Sequence, residues 1–299
     1  MDSSFSPAVP YISEIRSRKF PWVNVVLFLA TCLSTLLVGT VLSISFYEAD
    51  FRDIWHASSL LMGLPFSIAL MSILLAHEMG HYLTSRYYGI DASLPYFIPF
   101  PNLAGTMGAF IRIRAPFHNR ASLLEVGIMG PIAGFVVALV ALVVSMGHAR
   151  FVALTPGEAE GTLRLGDPLI LKLVEHFMGV TPPAGMDIYL HPVGFAAWFG
   201  FLVTALNLLP AAQLDGGHII YALFRGYHRR ISLGVIAVLV PLAVFYWWVW
   251  GLWIVLLLVL RLYHPPTLDD SIPLRPRHIV LGLIALMMLV LCFSPVPIS

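Results

Sequence analysis

Apolar residues dominate the chain in long runs, and the polar residues gather in a few short breaks. Trp22 to Phe46 is one such run, long enough to cross a hydrocarbon core of about 30 Å. A second starts near Leu60, a third covers about Val126 to Met146, and a fourth runs from His191-Pro192 to Leu209. Ile231 to Leu262 is apolar with tryptophans at 247, 248, 250 and 253, which reads as two short helices meeting at an interfacial aromatic belt. A last run covers about Ile279 to Phe293. The pattern predicts an all-α polytopic membrane protein. Leu169 to Met178 reads as a short amphipathic helix inside the most polar stretch, 148–190.

Residues 91–114 break the helical pattern. Pro95, Pro99 and Pro101 exclude a regular helix, and Phe110, Ile111 and Ile113 alternate with Arg112 and Arg114. This predicts a short strand or hairpin, either a re-entrant β-like loop or a surface connection. Pro65 predicts a kink in the second span.

Composition agrees with the runs. Of 299 residues, 59% are hydrophobic and 11% charged, and mean hydropathy is +0.85. The net charge of +1 comes without a basic, aromatic-interleaved cluster, which argues against a nucleic-acid partner and leaves the lipid bilayer as the expected surroundings. Cys32 and Cys292 give neither zinc-ligand spacing nor a disulfide framework. Arg16, Arg18 and Lys19 before the first run, against Glu48, Asp50 and Asp53 after it, predict a cytoplasmic N-terminus. The absence of a transit-type leader favours a bacterial plasma membrane. Nothing in the sequence speaks to an oligomeric state.

The candidate chemistry sits at the far end of the second run, where residues 77–81 read His-Glu-Met-Gly-His. Histidines four apart share a helix face and can hold one zinc ion, one per chain. Glu78 lies beside that face, within reach of a water held there, and fits a general base. Two histidines with ordinary hydrogen bonds are the plainer alternative, but such residues beside an apolar span are costly to bury. Zinc in a catalytic site wants three protein ligands and an open position. Asp215, at the helix break made by Pro210, is the best third candidate, with Asp91 and Glu125 weaker. Gly127, Gly130 and Gly134 read as a close-packing face, and Glu125 as a solvated interfacial carboxylate.

His77-Glu-x-x-His81 on one apolar helix, followed by Asn207-x-x-Pro210-x-x-x-Leu214-Asp215-Gly216-Gly217 on a later one, resembles the site-2 protease family of intramembrane zinc metalloproteases. The likeness covers about Leu60 to Phe224. It implies zinc on His77, His81 and Asp215, with Glu78 as catalytic base. It implies that Asn207 holds the substrate backbone or developing oxyanion, and that Gly105, Thr106, Met107, Gly108, Ala109 and Phe110 present an edge strand to the substrate. The expected partner is a single-span membrane protein, cut within or near its transmembrane segment in regulated intramembrane proteolysis, with the site toward the cytoplasmic side. The organisation expected is an N-terminal part (1–59), a metalloprotease core (60–224) with polar insertion 148–190, and C-terminal helices (225–299). The insertion is short for the PDZ domain of some members, and no CBS domain is evident. A zinc-binding transporter or non-catalytic scaffold built on broken helices is the alternative.

Overall fold

A computed structural model describes residues 20–54, 56–153, 164–260 and 262–298. The expectation resting on Arg16, Arg18 and Lys19 lies outside these residues. The described residues are mostly helical. Four helical stretches, Trp22–Tyr47, Ala57–Tyr87, Arg120–Met146 and Asp215–Phe245, are long and apolar enough to cross a membrane. The chain is therefore read as a multi-pass membrane protein.

Three threonines of helix α1 (Trp22–Tyr47) bond within the helix. Thr31, Thr35 and Thr40 each donate to the carbonyl four residues back, at 2.8, 2.8 and 2.9 Å. The short α2 (Ala57–Met62) leads through Gly63 into α3 (Leu64–Tyr87). Pro65 sits in the first turn of α3, where it forfeits no helical hydrogen bond, so the expected mid-helix kink is instead a joint at Gly63. A side chain at Gly63 would strike the backbone of Leu36 and Thr40, which shows how closely α1 crosses there.

After α3 come two antiparallel strands, β1 (Tyr96–Pro99) and β2 (Thr106–Phe110), with Phe97 opposite Ala109 and Tyr96 opposite Phe110. The hairpin falls within 91–114, the stretch that predicted it, with β2 ending where the alternating residues 110–114 begin; Ile113 forms an isolated bridge with Ala92. The tip is closed by Asn102, whose side-chain oxygen accepts from the amides of Ala104 and Thr106. Gly105 turns it with φ +75°. The hairpin is tied to α1. The Asn24 amide donates to the Leu94 and Pro95 carbonyls, both at 2.9 Å, and the Ser34 hydroxyl to the Gly105 carbonyl at 2.6 Å.

Helix α4 (Arg120–Met146) begins six residues before the expected Val126, because Asn119 caps it: its side chain accepts from the Ser122 amide at 2.9 Å and Ser122 returns a bond to the cap. The polar stretch that follows carries β3 (Arg150–Ala153), α5 (Leu169–Met178) and β4 (Met186–Tyr189), with β3 and β4 paired antiparallel. Ile170, Leu171 and Val174 of α5 face the core beside Ala138, Leu142 and Phe201.

Helix α6 (Pro192–Asn207) ends at a tight loop, and α7 (Asp215–Phe224) restarts from it. A single 3-10 turn joins α7 to α8 (His228–Phe245). The helix then breaks at Tyr246 to Trp248 before α9 (Val249–Val259), giving the two short helices the tryptophans announced. The chain closes with α10 (Pro276–Cys292). Helix α4 is central, with α3, α6 and α7 all packed on it; those four helices hold the candidate site.

Candidate metal centre

Helix α3 brings His77, Glu78 and His81 to one buried place, 4, 6 and 7% exposed. The His81 Nδ1 atom is 2.7 Å from the carbonyl of Val126 on α4. A carbonyl can only accept, so Nδ1 carries the proton and Nε2 keeps its lone pair. That Nε2 is 3.2 Å from the Nε2 of His77. The Asp215 Oδ2 atom is 3.3 Å from each.

These three atoms form a nearly equilateral triangle. Ligands held at about 2.0 Å in a tetrahedron stand about 3.3 Å apart, so the triangle fits zinc, and two imidazoles with one carboxylate leave a fourth position open. The three residues are the one such group of metal-binding side chains among the described residues. Asp91 lies apart from it, 3.6 Å from Arg114. Glu125 also lies apart, and it is not the solvated carboxylate expected from its position. It accepts from the Tyr88 hydroxyl at 2.6 Å, Arg277 at 2.9 Å and His278 at 3.0 Å, because the early start of α4 sets it among these groups.

Asp215 reaches the histidines because of the loop before it. Pro210 ends the run of α6, and Ala212 adopts φ +52°. A Cβ on Gly216 would collide with the Leu208 backbone, and one on Gly217 with that of Ala212. The first turn of α7 is thus pressed onto its own loop, and the two glycines permit that approach. A carboxylate at that first turn also sits favourably at the positive end of the helix.

The floor of the site is the glycine face of α4. A Cβ on Gly130 would overlap the His81 ring, and one on Gly134 would lie 3.1 Å from the His77 Cβ. At Gly127 it would meet His218 Cβ at 3.1 Å. From α3, Gly80 packs against Met129 and Gly130 in turn. The spacing of small residues had shown a packing face; the structure shows that what it packs against is the histidine pair. The Val126 carbonyl carries no sequence signal at all, being a backbone group.

The other residues singled out fall around this triangle. Asn207 Nδ2 is 3.3 Å from His77 Nε2. The Glu78 carboxylate faces the backbone amide of Ile111, one residue past β2. Within the hairpin, Thr106 is buried and donates to the Ile98 carbonyl at 2.8 Å, while Met107 and Phe110 are exposed. Gly105 lies on Ser34 and Thr35 of α1, Gly108 has open space at its Cα, and Ala109 packs with the cluster of Phe97 and Leu70. The β2 strand runs along α3, and β1 along α1.

A model of Peptidase family M50 matches residues 65–247. Among curated proteins, the chain is 28% identical over 246 residues to the probable zinc metalloprotease EGY1, chloroplastic, of Arabidopsis thaliana, covering 78% of this chain and 43% of that protein. It is 27% identical over 241 residues to EGY2 of the same plant (79% and 42%). To EGY2 of Oryza sativa subsp. indica it is 32% identical over 195 residues (60% and 34%). The chain spans less than half the length of these relatives. Their names place them in chloroplasts, which gives the expected bacterial plasma membrane no support.

Proposed function

The chain belongs to Peptidase family M50, the site-2 protease family, and on that premise we propose that it is a zinc endopeptidase that cuts membrane proteins within or near their spanning segments. The observation that carries the reading is the convergence of His77 Nε2, His81 Nε2 and Asp215 Oδ2 beside a buried glutamate. The relatives' names, probable zinc metalloproteases, point the same way.

In this reading His77, His81 and Asp215 hold one zinc ion per chain. Zinc, when bound, supplies Lewis acidity for the scissile carbonyl and for the attacking water. Glu78 takes the proton of that water and returns it to the leaving amine. The Asn207 amide, beside His77, donates to the substrate carbonyl as charge develops on it. Val126 keeps the His81 proton on Nδ1, which leaves Nε2 free for the metal.

A substrate helix hides its carbonyls in intrahelical bonds and must unwind to be cut. Among the described residues β1 and β2 pair only with each other, so one edge of β2 remains for an extended segment, which would replace the lost bonds. The hairpin then works as a re-entrant element of a core that runs from 60 to 224, with 148–190 as its polar insertion. The substrate would be a single-span protein, cut in regulated intramembrane proteolysis. Arg120, Arg225 and Arg277 near the start of α4 support a site toward the positively flanked, cytoplasmic face.

Zinc content of the purified protein, with folding checked by thermal melting, tests the site. We expect about one zinc per chain, in keeping with a three-ligand site, and little in folded His77→Ala or Asp215→Ala. Full zinc retention in folded Asp215→Ala would place the third ligand elsewhere and remove the geometric ground for the reading.

A further inference from the structure

The segment between α9 and α10 lies beyond the stretch matched by the family model, which ends at 247. It runs across the ends of α4 and α7. The amides of Leu268 and Asp269 donate to the carbonyls of Phe117 and His118, both at 2.9 Å. The Asp270 carboxylate accepts from the Tyr221 hydroxyl at 2.8 Å and pairs with Arg225 at 3.2 Å. At its start His264 turns inward, 3% exposed, and stacks on the Tyr221 ring at 4.3 Å.

The partners of His264 fix its protons. Its Nδ1 is 2.6 Å from the Pro265 carbonyl, which can only accept, so Nδ1 donates. In the neutral ring Nε2 is then an acceptor, and it lies 2.7 Å from Nδ1 of His218. His218 is therefore the donor of that bond. Burial lowers the pKa of His264 to about 4, which keeps the ring neutral and the pattern intact through the neutral range.

His218 stands one turn after Asp215 on α7, and its Cβ lies against Gly127 of α4. The first turn of α7 is thus held from two sides, by the glycine face of α4 and by His264. That turn carries the carboxylate of the triangle, and metal ligands tolerate only about 0.2 Å of displacement.

Resting on the metal-centre reading above, we infer that His264 is a positioning residue for that centre: by accepting the His218 Nδ1 proton it holds the first turn of α7, and with it Asp215, at ligating distance from His77 and His81. Groups bonded directly to a metal ligand typically govern about 10–100-fold in affinity; His264 acts one step further out, through His218, so the lower end of that range applies.

The test is zinc affinity by chelator competition on the intact chain in detergent. It compares wild type, His264→Phe, His264→Gln, His218→Ala and the double variant His218→Ala/His264→Phe, with metal-free melting temperatures alongside. His264→Phe keeps the ring on Tyr221 and removes both nitrogens; His264→Gln offers an acceptor again. We expect about tenfold weaker zinc in His264→Phe and in His218→Ala. The double variant should be no weaker than either single one, and His264→Gln should lie near wild type. Wild-type affinity in His264→Phe, multiplying losses in the double variant, or a glutamine variant as weak as phenylalanine would each overturn the inference. If His264→Phe does not fold, His218→Ala decides alone: weakened zinc supports the inference and wild-type affinity overturns it. A wild-type protein that binds no zinc would overturn the metal-centre reading itself, and this inference with it.

Discussion

Gly130 has no room for even a methyl group, because the His81 ring fills the space where a Cβ would stand. Gly130→Ala should therefore push the ring off its line to the Val126 carbonyl, at an overpacking cost of about 1–3 kcal/mol, and zinc content should fall with it. Gly134→Ala meets His77 at 3.1–3.2 Å and should cost less; equal losses in the two variants would mean that the contact with the His81 ring is not what matters. Glu78→Gln keeps size and burial but cannot take a proton. It should retain zinc and melting temperature while peptide cleavage falls by a factor of at least about 100; cleavage at wild-type rate would remove Glu78 from its role. At this scale the sequence was most legible where chemistry lives in side chains. His77, Glu78, His81, Asp215 and Asn207 all lie at or beside the triangle. The Val126 carbonyl and the Ile111 amide could not be read, since they are backbone groups that every residue but proline carries. His264 carries no sequence signal, since nothing in its neighbourhood resembles a motif.

Among the elements, the hairpin depends on α1. Two of its entry carbonyls, Leu94 and Pro95, are held by the one side-chain amide of Asn24. Asn24→Leu removes both bonds, on the order of 1 kcal/mol each. In the proposed reading it should lower cleavage of a membrane-protein substrate several-fold without changing zinc content. Unchanged cleavage would separate the hairpin from substrate handling. The helices were legible as apolar runs, and their ends were not. Asn119 moved the start of α4 six residues toward the N-terminus through a capping bond that hydropathy does not register. The hairpin lies within the stretch expected for it, but its strand limits were not legible from alternation: Gly105 and Gly108 take positive φ, and the bulge between Phe97 and Pro99 breaks the period-two pattern where β2 lies. The alternation at 110–114 belongs to the exit from the hairpin.

For the molecule as a whole, the polar insertion carries a pH dependence. Burial, reinforced by Asp167 and Asp187, pushes the Glu175 carboxyl of α5 up to about 7. The folded chain then holds this proton more tightly than the unfolded one. Stability falls as pH rises from the ordinary carboxyl value near 4.5 through about 7, and the full penalty is present above that. Glu175→Gln, neutral throughout, should melt a few degrees above wild type at pH 8, with the difference closing toward pH 4.5. A constant difference across that range would show that the carboxyl does not titrate there. The closeness of α3 to α4 has another consequence, for the supply of water to the reaction. A water molecule is about the size of a methyl group, and along the glycine face there is no space for one between α4 and the two histidines. In the proposed reading the hydrolytic water would have to come from a side other than this face, such as that where Asn207 neighbours His77 and the Ile111 amide neighbours Glu78. A substrate strand laid along the edge of β2 would there also stand in the path by which its own reagent is delivered.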